Sequence, residues 1–416
     1  MNMINVRRLA VMTFLGAGML SDISAQDFSL QADTLNEARL PAQWDLQSCI
    51  DYALEQNITI RKNRVTAEST QIDVKTAKAA LFPSLSFSTS QQVVNRPYQE
   101  TSSRVSGSEI ISSNSKTSYN GNYGLNASWT LYNGNKRLKT IQQEKLNNQM
   151  AELDVATSEN NIQESIAQVY IQILYAAESV KVNENTLQVS IAQRDRGQEL
   201  LNAGSIAKSD LAQLEAQVST DRYQLVTAQA TLEDYKLQLK QLLELDGENE
   251  MNIYLPALSD ENVLAPLPTK KDVYIRALSL RPEIEASKLN VEASELGIGI
   301  AKSSYLPTIS LSAGIGTNHT SGSDFTFGEQ VKNGWNNSIG LSVSVPIFNN
   351  RQTKSAVQKA KLQYETSMLS LLDEQKTLYK TIEGLWLDAN SAQQRDRKST
   401  RLNSSHPSRS RKPSSA

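Results

Sequence analysis

"GLNASWTLYNGNKR", residues 124 to 137, alternates small or polar residues with apolar ones and then turns abruptly into a long polar tract rich in Gln and Glu. Tyr123, Leu125, Ala127, Trp129 and Leu131 fall on one side of a strand, while Asn122, Asn126, Ser128 and Thr130 fall on the other. "IGLSVSVPIFNNRQ", residues 339 to 352, repeats the event: Ile339, Leu341, Val343, Val345 and Ile347 oppose Ser338, Gly340, Ser342 and Ser344. A strand joined directly to a helix, twice, points to a repeated architecture.

The repeat extends upstream. "DYALEQNITIRKN…ALFPSLSFS" aligns with "RALSLRPEIEASK…SYLPTISLS", matching Ala53 with Ala277, Leu54 with Leu278, Ile60 with Ile284 and Pro83 with Pro307. Downstream, Tyr132 matches Phe348, Asn133 matches Asn349 and Tyr170 matches Trp386. One unit of helix, strand, loop, strand and helix is duplicated. The first copy is expected over 45–246, with strands at 84–95 and 119–131; the second, incomplete, over 271–392, with strands at 308–316 and 338–347. The Pro-bearing stretch 247–270 reads as a linker.

The helices are read from their period. Leu211, Leu214, Val218, Asp221, Leu225, Ala228, Leu232, Tyr235, Leu239 and Leu242 recur in steps of three and four, as do Ile162, Ile166, Val169 and Ile173, which predicts a coiled-coil seam. Between these runs "LLNAGSIAKSDL" carries Gly204 to end one helix and Asp210 to start the next, so a hairpin tip is expected at about 202–209. At 1.5 Å per residue, a helix over 136–199 would run roughly 95 Å, and helices over 45–80 and 208–245 roughly 55 Å each, so two shorter ones match one long one. Their Ser, Thr and Gln faces suit a hollow wall as well as a solid bundle.

The polar strand faces are small and uncharged, which fits a water-filled lumen behind an apolar outer belt better than a soluble sandwich. Four strands cannot close such a barrel, because an open edge in lipid leaves backbone groups unpaired. The remaining strands must come from other copies of the chain.

Composition and termini agree with this reading. Only 6% of the 416 residues are aromatic, lean for a compact globule. The net charge of -2, without a basic patch or acidic block in the body of the chain, selects neither nucleic acid nor an acidic substrate. One Cys and two His exclude a disulfide framework and a His/Cys metal cluster, and no catalytic constellation or phosphate loop is present, so the expectation is a protein that is no enzyme and needs no cofactor. Arg7 and Arg8 ahead of the apolar run Leu9 to Leu20 predict a signal peptide over 1–25, followed by an extended segment over 26–44. The Ser-, Arg- and Pro-rich stretch 397–416 follows a helical pattern that stops near Ala392, and reads as a disordered, non-native tail from an adapter sequence. On that reading the natural C-terminus is expected to be missing, and a chain ending there would leave a gap in the helical wall.

Signal peptide, duplicated unit and tip together resemble the TolC-like outer-membrane efflux protein family over about 44–392, most specifically in "AALFPSLSFS", "KSSYLPTISLS", "WTLYNGN", "VPIFNN" and "LLNAGSIAKSDLAQLEAQ". The resemblance implies a mainly α fold with a small β part. It implies a homotrimer whose four strands per chain form a twelve-stranded barrel in the outer membrane, above an α-helical periplasmic tunnel. It further implies a periplasmic adaptor docked on the hairpin tips and an inner-membrane pump supplying the energy. Gly204, Ser205, Ile206 and Ala207 match the adaptor contact, and Asp210 matches an aspartate of the periplasmic constriction; the capping role of Asp210 is the competing reading. Leu125, Trp129, Leu131, Leu341, Val343 and Val345 are the expected lipid-facing positions. A coiled-coil adhesive surface protein without a pore is the alternative.

Five residues are read structurally. Asp221 is expected to face lumen or solvent, or to set register; Cys49 is a small buried residue; and His319, with Asp324 and Glu329, belongs to a solvated outer loop. Tyr98, Tyr119 and Trp335 suit interfacial aromatics or loop anchors, and Ser102 to Ser118 a loop.

Overall fold

The computed structural model describes residues 41–404 except 42, 99–101, 107–108, 114–115, 247–250, 256–265, 322 and 324. The expected signal peptide over 1–25, most of the segment over 26–44, the tail beyond 404 and Asp324 lie outside the described residues. The first repeat comprises α1 (Leu46–Gln56), α2 (Ile58–Ala79), β1 (Ser84–Asn95), a short ribbon of β2 (Ser102–Ser106) and β3 (Glu109–Ser113), β4 (Thr117–Asn133), α3 (Lys136–Asn202) and α4 (Lys208–Leu242). The second comprises α5 (Lys270–Leu280), α6 (Pro282–Ser303), β5 (Thr308–Thr320), α7 (Phe327–Asn333), β6 (Asn336–Ser344) and α8 (Gln352–Ser404).

The repeats coincide at their boundaries: α2 ends at Ala79 and α6 at Ser303, β1 opens at Ser84 and β5 at Thr308, and α3 and α8 open at Lys136 and Gln352. In both, the helix expected to be continuous is broken at one extended residue, Asn57 (ψ 125°) or Arg281 (ψ 121°). Arg281 is driven out of the helical region by Pro282 behind it, and Pro282 then suits the first turn of α6. Asn57 has no such neighbour. Its side-chain oxygen accepts from the Thr59 and Ile60 N–H groups, and its amide donates to the Leu242 carbonyl at 3.0 Å. Ile60 and Ile284, three residues past each break, are fully buried.

Four strands form one antiparallel sheet in the order β1-β4-β5-β6, so each repeat supplies a hairpin and β4 pairs β5 to join them. β5 outruns its expected end at 316 because Thr317 to Thr320 continue the ladder opposite Tyr123 to Asn120. β6 stops at Ser344, short of the expected 347, because Pro346 has no N–H to continue a ladder; Val345 therefore sits just past the strand. The Ser-rich stretch expected to be a loop carries the β2–β3 ribbon.

α3 has 67 residues, about 100 Å of helix, and α4 folds back along it. Where the hairpin meets α1, Cys49, Ala53, Ile166, Tyr170, Ile173, Leu239 and Leu243 form a core capped by Trp44. Trp44 also ties the N-terminal segment to the expected linker: its N–H donates to the Asn252 carbonyl and its carbonyl accepts from the Tyr254 N–H, both at 2.8 Å. The Tyr170 hydroxyl donates to the Tyr254 carbonyl at 2.5 Å. Burial, helped by the nearby Asp45 charge, pushes the Cys49 thiol up to about 12, so it stays protonated.

The helix expected to fade near Ala392 continues to Ser404, which corrects the expected disorder of 397–404. Arg397, Lys398, Arg401 and Leu402 propagate a helix well, and the first breaker is Pro407.

Candidate functional site

Strand register sorts the side chains. Ser84, Ser128, Ser312 and Gly340 stand opposite one another across all four strands, as do Ser86, Asn126, Gly314 and Ser338, then Ser88, Gly124, Gly316 and Asn336. Facing residues share one side of an antiparallel sheet, so this side is a grid of hydroxyls, amides and bare backbone without a charge. The Ser84 and Ser128 hydroxyls are 2.8 Å apart, and the Asn126 amide donates to the Ser88 hydroxyl at 3.3 Å. The other side carries Phe87, Leu125 and Ile315 in one row, Ala127, Ala313 and Ile339 in the next, and Trp129, Leu311 and Leu341 in the third. Within the chain this apolar side is uncovered, with Phe87 69% and Leu341 63% exposed. Among the described residues no helix is long and apolar enough to cross a membrane.

A bulge interrupts the β4–β5 ladder between Thr130 and Tyr132, so Leu131 has no partner and Tyr132 takes the place opposite Ile309. Period-two counting cannot detect this, because both residues are apolar. Trp129 lies on the apolar side, and its indole N–H donates to the Leu81 carbonyl at 2.7 Å. Arg137 donates to the Ala80 carbonyl at 2.8 Å and to the Thr130 carbonyl. The two side chains thereby satisfy carbonyls left open where α2 ends.

The strand-to-helix junction raised by "YNGNKR" is built from two successive left-handed residues, Gly134 (φ 68°) and Asn135 (φ 62°). A Cβ at Gly134 would lie 2.7 Å from the Ser303 carbonyl, so both the conformation and the close approach require glycine. The Ser303 hydroxyl donates to the Gly134 carbonyl at 2.7 Å, pinning the end of α6 to the start of α3. The second junction repeats the geometry with Asn350 (φ 51°) and Arg351 (φ 63°).

At the opposite end, Gly204 (φ 73°) ends α3 in a Schellman turn: the Ser205 N–H donates to the Leu200 carbonyl at 2.8 Å and the Gly204 N–H to the Leu201 carbonyl at 2.9 Å. Nothing lies within 4 Å of a Cβ placed on Gly204. The Asp210 carboxylate accepts from the Ala207 N–H at 3.1 Å, one half of a capping box that Ala207, without a polar side chain, does not reciprocate. Behind the tip, Gly197 admits Leu214, whose Cδ1 would lie 2.5 Å from an added Cβ.

Of the two expectations for Asp221, the lumen- or solvent-facing one is corrected: it is buried, 4% exposed, and accepts from the Ser190 hydroxyl across the hairpin and from the Gln217 amide at 2.9 Å. A paired polar group in an apolar seam suits a register device. His319 is likewise corrected: it is a residue of β5, with its ring among aromatics. Glu329 caps α7, accepting from the Thr326 N–H at 2.8 Å. Sequence reasoning also passed over Asn57, Arg137 and Ser190, whose roles depend on distant carbonyls and carboxylates.

The sequence model of the family described as outer membrane efflux protein matches residues 49–244 and 273–402, and the chain belongs to that family. It is 24% identical over 235 residues to the outer membrane protein TolC of Escherichia coli strain K12, covering 54% of this chain and 46% of that protein. It is 25% identical over 236 residues to the outer membrane efflux protein BepC of Brucella suis, covering 56% and 48%. The chain thus spans about half the length of these relatives. The crystal structure of the outer membrane protein VceC from Vibrio cholerae superposes with a TM-score of 0.69 at 18% identity, over 86% of this chain and 81% of that one. That likeness speaks for the fold.

Proposed function

We propose that this chain is one third of a passive outer-membrane export duct. The observation that carries the reading is the register-sorted sheet: neutral polar rows continuous across all four strands on one side, and apolar rows, of which Leu85, Ala127, Ala313 and Ile339 cross all four, on the other. A lipid-facing belt around a wet lumen requires this pattern. β1 and β6 are the edges of the sheet, and an unpaired edge is untenable in lipid. Pairing β6 of one chain with β1 of the next, three times over, yields a closed twelve-stranded barrel. The lipid-facing set is then Leu125, Trp129, Leu131, Leu341, Val343 and Val345, with the helices extending into the periplasm.

In this reading the tip, Gly204 to Ala207, meets a periplasmic adaptor, and an inner-membrane pump drives the cargo. The open space around Gly204 supports a contact surface there. Asp210 narrows the periplasmic entrance in addition to capping α4. The lumen rows named above carry hydroxyls, amides and bare backbone and no ionisable side chain, a lining suited to conduction.

The test is to purify the protein from outer membranes in mild detergent, determine its mass, and record currents across a planar bilayer. The expected result is a trimer giving discrete conductance steps. A soluble monomer without conductance would overturn the barrel.

A further inference from the structure

We propose that α7 is an interfacial anchor that inserts Phe325, Phe327 and Trp335 into the head-group zone of the lipid layer at the outer rim of the barrel. This rests on the outward assignment of the apolar sheet face made above.

The side on which α7 lies follows from residue parity. Thr317 and His319 share the apolar side of β5 with Leu311 and Ile315, and both hold the helix. The Thr317 hydroxyl donates to the Val331 carbonyl at 2.7 Å, and the His319 ring meets Phe327 edge-on at 5.0 Å. The imidazole also stacks on Tyr123 at 5.9 Å and leans on Tyr119 at 5.3 Å. Gly121 stands directly opposite His319, and a Cβ there would collide with the ring, so glycine makes the seat. The Thr320 N–H donates to the Gln330 side chain at 2.8 Å, whose amide donates to the Phe325 carbonyl at 2.9 Å. A Thr326–Glu329 capping box closes the first turn. α7 is therefore bonded to the sheet at the end far from the helices, and the β5 side chains that bond or stack on it, Thr317 and His319, both belong to the apolar side.

Having docked, the segment leaves Phe325 49%, Phe327 45% and Trp335 56% exposed. Phe327 extends the apolar side of β5 beside His319, which in turn meets Tyr119 and Tyr123, rings with a polar tip on an apolar body. That combination is favoured where hydrocarbon gives way to head groups. Continuity with the belt selects lipid as the occupant over a separate protein partner.

The test places a single cysteine, F325C or, in a second variant, W335C, and labels it with an environment-sensitive fluorophore; Cys49, fully buried, stays unlabelled. L341C, in the middle of the belt, is labelled in parallel. The proteins are reconstituted into phosphatidylcholine vesicles carrying a nitroxide either near the head group or deep in the acyl chain. The expected result is a blue-shifted emission at 325 and 335 that loses most of its intensity to the shallow nitroxide, while the label at 341 loses it to the deep one. Quenching at 341 with water-like, unquenched labels at 325 and 335 would overturn the anchor and leave the barrel intact. No quenching at any of the three would overturn both.

Discussion

In the first repeat the helix break at Asn57 is held by side-chain hydrogen bonds, whereas in the second the break at Arg281 is imposed by the backbone of Pro282. The same contrast recurs along the two copies. Asp45 caps α1, and its counterpart Thr269 caps α5. Trp129 and Arg137 clamp the first strand-to-helix junction onto the Leu81 and Ala80 carbonyls, where the second copy has Val345 and Thr353. α1 buries Cys49 and Ala53 beneath the returning helix α4, while α5 buries nothing and Leu280 is 75% exposed. A duplicated backbone geometry does not require duplicated chemistry; each copy needs some means of satisfying the groups its turns leave open.

The largest expected difference lies in the core. Leu239→Ala should destabilise the detergent-solubilised protein by about 2–5 kcal/mol, because Leu239 is fully buried. Leu280→Ala should change stability by about 0.5 kcal/mol or less. Denaturant titration measures both, and equal losses would mean that the second copy's apolar face is as well covered as the first's.

The helix break comes next. Asn57→Ala removes a cap and the partner of the Leu242 carbonyl, for a loss of about 1–3 kcal/mol. Arg281→Ala should stay within about 0.5 kcal/mol, since Pro282 holds the geometry alone. A larger effect at Arg281 would break the distinction between the two devices.

Trp129→Phe keeps the ring but loses the bond to Leu81, and should cost about 0.5–1.5 kcal/mol, with Val345→Ala below it. Thermal unfolding resolves the order, and a reversed one would remove the clamp from the first junction.

The smallest effect is a pH dependence of the α1 cap. The Ser48 side chain, then its backbone N–H, hold the Asp45 carboxyl below its ordinary value. The cap's contribution is therefore full above the ordinary carboxylate range and is lost as pH falls through the lower folded value. Thr269 does not titrate. Hydrogen exchange of α1 and α5 between neutral and acid pH should show loosening of α1 first, and Asp45→Asn should abolish that dependence.

What could be read in advance follows from how far apart the interacting residues lie. Gly204 between two seven-residue periods announces a hairpin, because a left-handed turn and a helical stripe are local matters. Pro282 announces its break for the same reason. Asn57 does not: it sits in a polar helical pattern, and its amide partner Leu242 is 185 positions away. Asp221 reads as a flaw in the seam until Ser190 is found across the hairpin. His319 reads as loop because the rings that seat it, Tyr119, Tyr123 and Phe327, come from two other elements.

The sequence by itself determined the duplication, the two-residue sorting of the strands, the helical seam and the tip, since each is a periodic or turn preference carried by neighbouring side chains. Only the tertiary structure decided where β4 bulges, which side of the sheet carries α7, how Asn57 and Arg137 hold their carbonyls, and which copy's apolar face is covered. Those outcomes depend on pairing distant groups, and a buried donor, acceptor or apolar surface reveals its partner only when the chain is folded.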